Sequence, residues 1–78
     1  MPHLIVKLWP GRSEEDKIKL TQKLTEAVNE AINVSDDSIS IALEEIPKDE
    51  WVEKVYKPDI MMNENKLYKK PGYKPEDL

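Results

Sequence analysis

Cysteine is absent from this chain, so no disulfide braces it and no thiolate serves as nucleophile or metal ligand. Histidine occurs once, at His3, which is too little to build a tetrahedral zinc centre. No long apolar run exists: Leu4-Ile5-Val6 is typical, and far too short to cross a bilayer. The first residues lack a basic stretch leading into an apolar one, so no signal peptide is expected and a cytoplasmic protein is. Gly-rich phosphate loops, a nucleophile elbow and an HExxH helix are all missing. Positive charge is in deficit as well, with 12 basic residues against 16 acidic ones and a formal net charge of −4. A nucleic-acid backbone is therefore a poor partner, because such binding is driven by lysine and arginine. Neither a metal nor an organic cofactor is expected.

With 78 residues the chain makes one small domain, spanning 1–78. A domain near this size buries only about 60% of the surface that its unfolded form exposes. Disulfides, a metal or partner chains normally make up the shortfall. The first two are excluded, so a homo-oligomer is expected before any motif is read.

What is present reads as a βαβ unit. His3 to Trp9 is β-rich, with Leu4, Val6 and Leu8 on one face and Ile5, Lys7 and Trp9 on the other. Apolar residues on both faces suggest a strand covered on both sides, and Pro10-Gly11 ends it. Ser13 then suits a helix N-cap, with Asp16 in the reciprocal position and acidic residues matching the helix dipole. Leu20, Leu24, Ala27, Val28, Ala31 and Ile32 form an apolar stripe, Glu15 and Lys19 an i,i+4 pair, and Asn33 a stop. Ser38 to Ile46 alternates as a second strand. Strand, helix, strand implies parallel pairing with a right-handed crossover. The fold class is α+β, and two exposed sheet edges invite a second chain across a two-fold axis. Asp49 to Tyr56 reads as a short helix burying Trp51, Val52, Val55 and Tyr56 and ended by Pro58. A further helical turn or two is expected between Ile60 and Tyr68, followed by a loop over Lys69 to Tyr73.

Three residues carry candidate chemistry. Pro2 follows Met1, and an initiator methionine is normally removed when the next residue is small. Removal leaves a secondary amine at the start of a strand. An N-terminal amine has an ordinary pKa of ~7.7–8.0, which burial or a nearby cation lowers. Such an amine suits a general base at cellular pH. The bland reading stands beside it, since many ordinary proteins carry proline second. Arg12 is the lone arginine beside eleven lysines, in the turn before the helix. A guanidinium suits forked binding of a carboxylate or enolate, although a surface arginine there needs no function. Trp51 can wall a pocket and offer its indole N–H, or can simply be core. His3 reads as structural.

In register, these pieces resemble the 4-oxalocrotonate tautomerase family. The likeness covers Pro2 to about Trp51 and rests on Met1-Pro2 opening a strand, Gly11-Arg12-Ser13 opening a helix, SISIALEEI, and an aromatic soon after. The Pro2-His3 start, the tryptophan and the KKPGY ending are most similar to its short, dimeric PptA-like branch. The resemblance implies catalysis by Pro2, with Arg12 binding substrate and Trp51 walling the pocket. It also implies tautomerisation of a small enol or 2-oxo acid without a cofactor. Two departures bear on the substrate. Ser40 stands where typical members carry a second arginine, and a helical WVEKVY replaces their Gly-rich hairpin. Monoacids such as aryl enolpyruvates then fit better than dicarboxylates, and a dimer is favoured, with a hexamer also open.

Strand geometry adds one expectation. At about 3.3 Å per residue, Pro2 lies roughly 25 Å from the Pro10 turn, so Arg12 and Trp51 should not reach their own Pro2. Ser40 lies at the Pro2 end and becomes a substrate-binding candidate. Antiparallel pairing of two chains would bring Arg12 and Trp51 of one beside Pro2 of the other. Two rival readings remain: a dehalogenase, hydratase or decarboxylase using a charged Pro2 as acid, or a non-catalytic oligomeric interaction module.

Overall fold

A computed structural model describes residues 1–78, which divide into two compact units, Met1–Glu45 and Ile46–Leu78. In the first, β1 (His3–Leu8) pairs in parallel with β2 (Ser40–Glu45), and α1 (Glu14–Ile32) connects them. The expected βαβ unit is therefore present. Both strands are shorter than the sequence pattern suggests. The start of the second is taken up by a tight turn over Asp36–Ser38, in which the Ser38 amide and hydroxyl both donate to the Ser35 carbonyl. The register matches Leu4 with Ile41 and Val6 with Leu43, so these four share a face. His3, Ile5 and Lys7 match Ser40, Ala42 and Glu44 on the other.

Local chemistry sets the ends of α1. The Ser13 hydroxyl accepts from the Asp16 amide at 3.0 Å, and Glu14, Glu15 and Asp16 place negative charge at the positive end of the helix dipole. Asn33 closes the helix in the left-handed region at φ 53°, donating its amide to the Asn29 carbonyl. Gly11 turns the chain before the helix at φ 116°, a conformation that side chains resist. The inward stripe differs from the expected one. Leu20, Leu24 and Val28 are half-buried, but Ala27, Ala31 and Ile32 are exposed. Thr21 and Thr25 take their place, with their hydroxyls returned to the Lys17 and Thr21 carbonyls so that no polar group is stranded.

Glu15 and Lys19 do not pair. The ion pair at this end instead joins α1 to β2, with Lys17 reaching Glu45 at 3.2 Å and Glu14 at 3.6 Å. The hydrogen bond to Glu45 is the main cause of an upward shift in the Lys17 pKa from its ordinary 10.5; the Glu45 and Glu14 charges add to it and desolvation opposes it. A raised pKa in the folded state means that the link stabilises fully below the ordinary lysine value and is lost as pH rises through the folded one. Urea unfolding should therefore show wild type losing its advantage over Lys17→Met as the buffer is taken from neutral to above pH 10.5.

In the second unit, a tight turn at Lys48–Glu50 leads into a π-helical segment, Val52–Ile60, and a 3₁₀ segment, Met61–Lys66. Pro58 does not end the helix as expected but lies inside it. An α-helical proline ring clashes with the carbonyl four residues back, and the wider π turn relieves that clash. The backbone kinks at Asn63, whose side-chain amide donates to the Pro58 and Asp59 carbonyls. Val55 is the one buried residue of the chain, at 5% exposure, while Trp51, Val52 and Tyr56 are half-buried. Leu67 to Lys74 has no regular structure, and a short turn at Pro75–Asp77 follows. No helix is long and apolar enough to cross a membrane.

Candidate active site

The start of β1 and the start of β2 lie side by side. The Pro2 carbonyl accepts from the Ser40 amide at 3.2 Å, and His3 Nδ1 shares a 2.6 Å hydrogen bond with Ser40 Oγ. Pro2 is half-buried, whereas Met1 is 98% exposed. Sequence reasoning thus placed Ser40 at the correct end of the sheet. It missed His3 as Ser40's partner, although parallel pairing of the two strands puts them on one face.

Arg12 stands at the other end of β1. Its side chain is exposed, and no acidic side chain closes an ion pair on it. It borders a cleft of about 540 Å³ whose lining combines Val6, Leu8 and Leu20 with Lys17, Lys19, Lys23 and the acidic Asp16. Lys17 is paired with Glu45 and Glu14, and Lys23 with Glu26, so Arg12 and Lys19 are the cations at this apolar surface outside those ion pairs. Such a surface suits a carboxylate attached to an apolar body.

Trp51 belongs to the second unit. Its Nε1 donates to the Tyr73 hydroxyl at 2.9 Å, and the Tyr73 ring packs at a tilt against Tyr56 with centroids 5.7 Å apart. The indole N–H is therefore already used. Tyr73 was not foreseen as the partner of Trp51; the available signal was an aromatic placed directly after the Pro71-Gly72 turn.

Residues 2–55 match the family described as "Tautomerase enzyme". The chain belongs to the tautomerase family. Similarity extends beyond that segment to whole relatives. Tautomerase PptA of Pectobacterium carotovorum is 42% identical over 74 residues, which cover 94% of this chain and 97% of that protein. A probable tautomerase of Xylella fastidiosa is 37% identical over 73 residues, covering 94% and 89%. Among solved structures, the crystal structure of YwhB, a homologue of 4-oxalocrotonate tautomerase, superposes with a TM-score of 0.60 at 42% identity over 62% of this chain and 79% of that one. The resemblance read from the sequence is thereby established, and tautomerisation, an isomerase reaction, is the class of activity supported for this tautomerase.

Proposed function

We propose that this tautomerase moves a proton between the oxygen and carbon of a small enol acid, an aryl enolpyruvate or a close analogue, with the Pro2 amine as base and acid. The observation that carries the reading is the setting of Pro2. The residue is half-buried at the head of a strand and tied to Ser40 through its carbonyl, while Met1 ahead of it is exposed to an aminopeptidase. Loss of Met1 turns the ring nitrogen into a secondary amine at a fixed position.

The cycle needs only the chain's own groups. Neutral Pro2 takes the enol O–H proton, the oxygen's electron pair forms the carbonyl, and the C=C electron pair collects the proton back from Pro2 at carbon. Pro2 finishes uncharged, so the proton count closes. Arg12 holds the carboxylate and steadies negative charge as it develops on the neighbouring oxygen. Trp51 supplies a flat wall, and Ser40 keeps a hydroxyl lone pair for a substrate group at the Pro2 end.

The site is shared between chains. β1 and its flanking residues separate Pro2 from the Pro10 turn that precedes Arg12 by roughly 25 Å. Arg12 therefore serves the Pro2 of a partner. Support for a partner comes from the two outer strand edges of a two-stranded sheet, from Ile5 left 55% exposed, and from a core with a single buried residue. A homodimer is the smallest assembly that answers all three.

Ketonisation of phenylenolpyruvate by the purified protein, followed through a dilution series, tests the reading. Specific activity should fall as the assembly dissociates. A demonstrably monomeric species at full activity would rule sharing out, and no rate above buffer at any concentration would rule out the reaction.

A further inference from the structure

We infer that Tyr73 is a positioning residue for substrate selection: by taking the Trp51 indole N–H it fixes that ring as an apolar wall, so that the site chooses substrates by a flat apolar body. The inference rests on the reading of Trp51 as a pocket wall.

An indole has one N–H and no acceptor. At 2.9 Å from the Tyr73 hydroxyl, that donor is spent and cannot also hold a substrate oxygen. What Trp51 still presents is the remaining accessible part of a half-buried ring. The hydrogen bond spans 22 residues and sets the orientation of the indole about its own side-chain axes. Tyr73 is itself held in place. Its ring meets Tyr56 at a tilt of 54°, within the favoured range for aromatic pairs, and Tyr56 directly follows the most buried residue, Val55. The segment Leu67 to Lys74 has no secondary structure to order it. Fixing a segment without such hydrogen bonds costs conformational entropy, and the two contacts of Tyr73 offset part of that cost. One side chain thus both anchors the tail and orients Trp51.

Tyr73→Phe keeps the ring against Tyr56 and removes only the acceptor. On phenylenolpyruvate it should raise KM about threefold to tenfold, the value of one neutral hydrogen bond, with kcat within about twofold. The KM of a small aliphatic enol acid should stay within about twofold, because it has no flat body to place. In a Trp9→Phe background, the emission of Trp51 should shift when Tyr73 loses its hydroxyl. Equal damage to both substrates, or an unmoved emission spectrum, would overturn the inference. Trp51→Ala separates the two levels. If it leaves the aryl KM unchanged, the pocket-wall reading falls and takes this inference with it. If it raises that KM while Tyr73→Phe does not, only the role of Tyr73 is overturned.

Discussion

Pro2→Ala is expected to cut kcat for phenylenolpyruvate ketonisation by about a hundredfold or more, with KM nearly unchanged. General acid–base catalysis is ordinarily worth ~10²–10⁴ in rate, and it acts on a proton that moves only in the transition state. Alanine also leaves a free chain terminus, but a primary amine without the ring that fixes φ and limits how the nitrogen can turn. Pro2 retains its backbone tie to Ser40 through the carbonyl, and alanine can make that same bond. A loss of rate can therefore be assigned to the nitrogen and not to the sheet. A Pro2→Ala enzyme matching wild type would remove the proline from the mechanism.

The second large effect concerns Arg12. Arg12→Ala should reduce kcat/KM by about tenfold to a hundredfold, the range for a lost hydrogen bond to a charged group. No acidic side chain pairs with Arg12 inside the chain, so its removal strands no partner and should leave folding intact. The informative experiment mixes the two damaged proteins. If Pro2 and Arg12 act across a two-fold interface, a mixed dimer holds one site with both residues intact and one with neither. Equal mixing makes half of the dimers mixed, so activity should return to about a quarter of wild type. Were each site built within one chain, mixing would restore nothing. The sign of that result does not depend on the substrate chosen.

Much of the fold was legible because its signals are local. Ser13 and Asn33 end α1 through bonds made within a few residues, the second strand alternates with a period of two, and the first is a short β-rich run closed by Pro10-Gly11. Errors arose where tertiary contacts decide. Thr21 and Thr25 face inward because their hydroxyls bond to the helix itself, so a stripe defined by apolar residues alone placed Ala27, Ala31 and Ile32 wrongly. Lys17 found Glu45, 28 residues away, in place of the local arrangement expected around Glu15 and Lys19. Pro58 reads as a stop in any α-helical register, and only the wider turn accommodates it. For the proposed site, Arg12 stood out by residue type as the lone arginine, Pro2 by its position after Met1 among six prolines, and Trp51, one of two tryptophans, by its place after the second strand. The partners of Trp51 and Ser40 were hidden because Tyr73 and His3 lie 22 and 37 residues from them.

All of the proposed chemistry depends on the ring nitrogen of Pro2 being a terminal amine. The direct test is ketonisation rate measured against the fraction of chains lacking Met1, read from intact mass across preparations processed to different extents. The rate should rise in proportion to that fraction and vanish toward fully unprocessed protein. Chains that keep Met1 and turn over substrate as fast as processed ones would contradict the account.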